Sequence, residues 1–213
     1  DTHLNHGFVR LGKYLYGIDK DCLLAKIARI YLMILGAKKI NIYCDNSLEN
    51  PANWNNELKS NVVPNTFDVV ITNPPFGSKI LIRDQRILSH YQFGYKWRKK
   101  EDQWDISGIL QEGQPPQVLF IERCLELLRP GGRMGIVLPE GIFGNPSDRY
   151  ILDWLFKKAK IIGVVSCSPI TFLPHTHTKT SILFLEKPTG KFDDDYNFFM
   201  AIAENVGHDK NGK

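Results

Sequence analysis

A six-residue run, Phe67-Asp68-Val69-Val70-Ile71-Thr72, stops on Asn73-Pro74-Pro75-Phe76. Apart from Asp68, nothing polar interrupts it before Thr72. Such a run reads as a strand buried on both faces, the habit of parallel sheets. Prolines cannot continue a ladder, so the strand ends here, at the carboxyl edge where open α/β sheets hold ligands. One side-chain amide, several free carbonyls and a ring are left at that edge. The set suits an amine held by acceptors and methylated, with Phe76 as a stacking face. The plain alternative is a strand-ending turn, because Asn-Pro and Pro-Pro are ordinary breakers.

Strands and helices alternate around this run. Tyr14 to Ile18 reads as a strand closed by Asp19-Lys20-Asp21. Cys22 to Leu35 reads as a helix, with Leu23, Leu24, Ile27, Ile30, Tyr31, Ile34 and Leu35 at helical spacing and Gly36 as its stop. Lys39 to Cys44 is the next strand, and Ser47 to Pro64 is polar with at most one short helix. Val118 to Leu128 is an amphipathic helix ended by Arg129-Pro130-Gly131-Gly132. Strands at Arg133 to Leu138, Ile161 to Ser166, Thr180 to Lys187 and Asn197 to Ala203 follow, with a helix at Ser147 to Lys158. The order predicts a doubly wound, mostly parallel α/β sheet. The last strands lack a helix between them, so an antiparallel edge is expected.

At 213 residues one domain is the default, and 43% hydrophobic with 23% charged residues is the composition of a soluble globular protein. A net charge of +4 permits a polyanionic partner without demanding one. No apolar run approaches the ~20 residues of a membrane span. The scattered cysteines, Cys22, Cys44, Cys124 and Cys167, read as buried reduced thiols of a cytosolic protein.

Three successive strand ends carry polar groups: Asp19, then Asp45 with Asn46, then Asn73. A carboxylate at the first can accept both ribose hydroxyls of a nucleotide-like cofactor. One at the second can accept from an adenine amino group. Taken singly, an Asp in such a place is more often a helix cap or turn residue. It is their order along the sheet that favours a ligand.

The stretches YGIDKD, YCDNSL, FDVVITNPPFG, LFIERCLELLRPGGRMGIVLPEGIFGNPS and TFLPHTHTKTSILFLEK resemble the N-6 adenine DNA methyltransferase family, in particular the modification subunit of type I restriction-modification systems. The resemblance implies a Rossmann-like class I methyltransferase fold and S-adenosylmethionine as cofactor. Asp19 would hold its ribose, and Asp45 with Asn46 its adenine. Asn73, Pro74, Pro75 and Phe76 would form the catalytic motif, with Asn73 also facing the cofactor. Phe76, Phe172 and Lys79 would contact the target base or DNA. It also implies double-stranded DNA, a specificity subunit and a restriction subunit as partners, in the cytoplasm.

The chemistry agrees with that placement. The adenine 6-amino nitrogen is a poor nucleophile because its lone pair is delocalised. Acceptors at the Asn73 side-chain oxygen and the Pro74 carbonyl favour the pyramidal form, so alignment matters more than acid–base help. The base must leave the duplex at a cost of a few kcal/mol. Stacking on Phe76 returns about 1–3 kcal/mol.

Lys79 to Trp104 interleaves Lys79, Arg83, Arg86, Lys96, Arg98, Lys99 and Lys100 with Tyr91, Phe93, Tyr95, Trp97 and Trp104. This is either a nucleic-acid-contacting loop or a solvated insertion packing its aromatics on the core. His175-Thr176-His177 lacks further ligands for a metal. Arg129 to Arg133 leads from helix to strand, the wrong way round for a phosphate loop.

The Gly-rich cofactor loop of the family is not found, and the sheet is expected to be incomplete at its N-terminal strand. The sequence reads as a piece of a longer protein: residues 1–190 as a truncated catalytic core, and 191–213 as a last strand and the start of a linker. Such a piece is expected to bind S-adenosylmethionine weakly, to be inactive alone, and to be prone to dimerise through open sheet edges. Two other readings stay open. One is the same fold methylating a protein glutamine or a ribosomal RNA base, and the other is a non-catalytic DNA-binding or assembly piece.

Overall fold

The computed structural model describes residues 12–77, 80–193 and 195–208. It divides into two compact units, Asp1–Val63 and Pro64–Lys213.

In the first unit a 3-10 turn, Gly12–Tyr14, leads into β1 (Tyr16–Asp19), α1 (Cys22–Ile34), β2 (Asn41–Cys44) and α2 (Asn56–Asn61). β1 and β2 pair in parallel from Tyr16↔Asn41 to Asp19↔Cys44, with α1 in the connection between them. Asp21 caps α1, its carboxylate accepting from the backbone N–H groups of Leu23 and Leu24. Gly36 ends it in the left-handed region at φ 87°, which the missing Cβ makes inexpensive. Ile42, Tyr43, Leu48, Trp54 and Leu58 form the buried core of this unit. Of α1 only Ala25 is buried, and Leu23, Ile27, Ile30 and Ile34 are exposed.

The four reduced thiols expected from the sequence are corrected here. Cys22, at the start of α1, and Cys44, at the end of β2, are joined in a disulfide with their Cα atoms 5.0 Å apart. Parallel pairing brings the two positions together across a sequence separation of 22 residues, which no spacing rule reveals. Cys124 and Cys167 are free and buried, as read.

The second unit begins with β3 (Phe67–Thr72), the short α3 (Gln85–Leu88) and a hairpin of β4 (Tyr95–Lys100) and β5 (Gln103–Leu110). It continues with α4 (Pro116–Leu127), β6 (Leu128–Pro139), the single turn α5 (Gly141–Gly144), α6 (Arg149–Lys158), β7 (Lys160–Cys167), β8 (Thr180–Glu186) and β9 (Phe199–Ala203). Five strands form one sheet in the order β3-β6-β8-β7-β9. β3 lies parallel to β6, and β9 parallel to β7. β8 runs against both β6 and β7, so the antiparallel strand sits inside the sheet and not at the edge expected for it, which β9 takes parallel to β7. Leu119, Ile121, Leu128, Ile136, Leu138, Ile151, Leu155 and Leu185 are the buried centre.

Two local expectations change. The basic-aromatic stretch contains the β4–β5 hairpin rather than a plain loop. The apolar run of β3, an edge strand, is not buried on both faces: Val69 is 58% and Ile71 82% exposed on the face they share. Lys187 closes α4, its Nζ donating to the carbonyls of Leu125 and Leu128 and to Asn65 Oδ1.

Candidate active site

The ladder directions decide where the polar groups gather. β3, β6 and β7 point the same way, so the segments after their last residues share one rim of the sheet. Asn73 to Phe76 follows β3, Glu140 follows β6, and Ser168 to Pro174 follows β7. β8 starts at the same rim with Thr180, opposite Pro139.

At that rim Asn73 is exposed, and its side chain has no hydrogen-bond partner among the described residues. Pro74 is buried, Pro75 exposed and Phe76 half-buried. Two prolines in succession remove backbone donors and leave carbonyls to face solvent. Phe76 and Phe172 meet edge to face, with ring centroids 5.7 Å apart at 73°. That is the geometry aromatic quadrupoles favour. Phe172 is held in a turn in which Leu173 N–H donates to the Ile170 carbonyl and Thr176 N–H to the Phe172 carbonyl. Lys79 lies outside the described residues.

Sequence reading missed Glu140 and Lys179. Glu140 accepts from Lys179 Nζ at 3.0 Å and from Ser166 Oγ at 3.1 Å, tying the ends of β6, β7 and β8 together. The signal was present: Glu140 directly ends an apolar strand, as Asp19 and Asp45 do.

The other predicted residues lie in the first unit. Asp19 and Asp45 adjoin there, with Asp45 N–H donating to the Asp19 carbonyl at 3.1 Å. Asp21, not Asp19, caps α1, so the cap reading of Asp19 falls away. Asp19 Oδ1 accepts from Asp21 N–H at 2.8 Å. Asp45 is more engaged, since Oδ1 accepts from Asn46 N–H at 2.7 Å and Oδ2 from the Asn55 side-chain amide at 2.9 Å. The Asn46 side-chain oxygen accepts from Leu48 N–H at 3.2 Å. Asp45 Oδ2 also accepts from Asn55 N–H at 3.3 Å, but Asp45 Oδ1 and both Asp19 oxygens keep a lone pair, so both Asp19 and Asp45 can still accept from a ligand.

The model of the N-6 DNA Methylase family matches residues 3–213. The chain belongs to that family. Among its curated relatives, the type I restriction enzyme EcoEI methylase subunit of Escherichia coli is 26% identical over 180 residues. That match covers 83% of this chain and 31% of the subunit, so the chain spans about a third of that relative's length. Two solved structures are similar in fold. One is a Listeria monocytogenes protein assigned to the class I S-adenosylmethionine-dependent methyltransferases, with TM-score 0.65, 21% identity, and coverage of 90% of this chain and 50% of that one. The other is the methyltransferase subunit of a type I restriction-modification system from Streptococcus thermophilus, with TM-score 0.60, 20% identity, and coverage of 81% and 33%. The methyltransferase fold that the resemblance implies is thereby shown.

Proposed function

We propose that this chain is the catalytic core of a DNA methyltransferase that methylates the 6-amino group of an extruded adenine, within a type I-like modification complex. The observation that carries the reading is the rim of the second unit, where Asn73, whose amide has no partner among the described residues, stands next to the Phe76–Phe172 ring pair.

Asn73 Oδ1 and the Pro74 carbonyl are both acceptors, and an exocyclic amino group offers two protons. Accepting both orients the amine and favours the pyramidal nitrogen, whose lone pair then projects from the ring plane. No ionised base is asked of Asn73. Phe76 offers a face for the base, and Phe172 braces Phe76 from the side. The extruded base loses its duplex stacking, and the ring returns about 1–3 kcal/mol of it.

Asp19 and Asp45 fit a cofactor with a ribose and an adenine. They end adjacent parallel strands, and Asp19 is released from capping by Asp21. Asp19 would accept from the ribose hydroxyls, and Asp45 with Asn46 would address the adenine edge. Bound S-adenosylmethionine supplies a methyl group on a sulfonium centre. Double-stranded DNA, a specificity subunit and a restriction subunit are the partners this reading assigns, in the cytoplasm.

The test is plasmid DNA methylation by the full-length protein, scored by mass spectrometry of N6-methyladenine, against Asn73→Ala. Loss of one acceptor in such a site costs roughly 100-fold or more in rate. Undiminished adenine methylation by the variant would overturn the proposed role of Asn73.

A further inference from the structure

We infer that the β4–β5 hairpin is a stiff arm whose outer face grips the phosphate backbone of duplex DNA, without reading bases. The inference rests on the DNA-modifying function proposed above and adds to it a binding surface and its chemistry.

The aromatics of the hairpin are committed inward. Trp97 stacks on Tyr150 of α6 at 5.6 Å and 25°, and Trp104 lies 6.0 Å from the same ring. Phe93, fully buried at the root, packs against Trp97, Tyr150 and Trp154. The root is pinned by hydrogen bonds as well. Glu122 of α4 accepts from the backbone N–H groups of Gln92 and Phe93, and the Gln114 side chain donates to the Phe93 carbonyl at 2.8 Å. These rings therefore serve as an anchor. Packing of the aromatics on the core was one of the two readings the sequence left open, and it leaves nucleic-acid contact to the cations.

Strand alternation then decides the other face. Trp97 and Lys99 point one way, so Lys96, Arg98 and Lys100 point the other. Arg98 and Lys100 are exposed, Lys96 is half-buried, and none of the three is in an ion pair among the described residues. Their cross-strand neighbours on that face are Asp105, opposite Arg98, and Gln103, opposite Lys100, which leaves the face net positive. Alternate residues of an antiparallel strand are about 6.8 Å apart. Successive phosphates of one duplex strand rise about 3.4 Å each along the axis and also turn about it, which spaces them at a similar interval, so three such cations can meet consecutive phosphates.

On the inner side of the tip, a cavity of about 630 Å³ is lined in part by Lys99, Trp104, Asn145 and Arg149. The cations there are only loosely paired, Lys99 with Asp102 at 3.5 Å and Arg149 with Asp153 at 3.7 Å. A phosphate could exchange for either carboxylate. A rigid, outward-facing row of cations whose neighbouring aromatics are held by the anchor suits a sequence-independent polyanion contact.

The experiment measures duplex DNA affinity of the full-length protein from low to moderate salt, for wild type and for Lys96→Gln/Arg98→Gln/Lys100→Gln. The control, Lys157→Gln/Lys158→Gln/Lys191→Gln, removes equal charge from exposed positions elsewhere. Each lost phosphate contact should flatten the slope of log affinity against log salt by about 0.9, hence by 2 to 3 for the triple variant. The control should leave the slope unchanged, and the loss should be equal on random and cognate duplexes. An unaltered slope, an equal change in the control, or no DNA binding by wild type would overturn the arm. Wild-type adenine methylation is scored separately. A flattened slope without methylation would leave the arm standing and sink the enzymatic reading, and methylation with an unaltered slope would do the reverse.

Discussion

Phe76 and Phe172 arrive from different strand ends and meet edge to face with centroids 5.7 Å apart. The pair exists because β3 and β7 run in the same direction and end at one rim. An edge contact leaves Phe76 a face to offer and denies it the freedom to rotate away.

Phe172→Ala should therefore weaken target-base capture by loosening Phe76. Phe76→Ala, which removes the stacking face itself, should cost more, about 1–3 kcal/mol or roughly 5- to 150-fold in kcat/KM. A duplex with the target adenine in a mismatch, where extrusion costs less, should recover part of the loss. Equal losses on paired and mismatched substrates would mean the rings do not hold an extruded base.

The Cys22–Cys44 bond closes a loop of about the size for which chain entropy predicts about 3 kcal/mol of stabilisation of the first unit. Cys22→Ser or Cys44→Ser should lower its denaturation midpoint accordingly, and added reductant should do the same to wild type but not to the variants. Alkylation under native, non-reducing conditions should spare Cys124, whose burial pushes the thiol up to about 12.

Glu122, which holds the hairpin root, has a carboxyl pushed up to about 7, chiefly by burial, against the two backbone N–H groups it accepts from. Between about 4.5, its ordinary value, and about 7 the folded chain retains a proton that the unfolded chain has lost. The stabilisation is present below the lower value and is lost as pH rises through the upper, with a slope of at most about 1.4 kcal/mol per pH unit. Glu122→Gln keeps an acceptor for Gln92 and Phe93 but cannot titrate. Urea midpoints measured between pH 4.5 and 7.5 should show this slope in wild type relative to the variant.

Gly94 joins the root to β4 with the Leu88 carbonyl oxygen 1.9 Å from where a Cβ would stand, and the obstructing atoms are backbone. Gly94→Ala should force the root apart and cost about 1–3 kcal/mol or more. Loss of Trp97 and Tyr150 near-ultraviolet circular dichroism, with the far-ultraviolet spectrum retained, is the expected signature.

Alternation of strand and helix, the helix from Cys22, its stop at Gly36 and the motif after Thr72 were all determined by sequence, because each rests on local spacing or on a backbone that proline or glycine restricts. Four features were decided by tertiary structure alone. The Cys22–Cys44 bond and the Glu140–Lys179 pair depend on strand register, and the open face of β3 depends on which face of the sheet the rest of the chain covers. The inward turn of Trp97 and Trp104 depends on which side of a hairpin meets α6. Local sequence specifies that a strand forms and which residues alternate along it, but contacts across the sheet are fixed only when distant segments compete for the same neighbour.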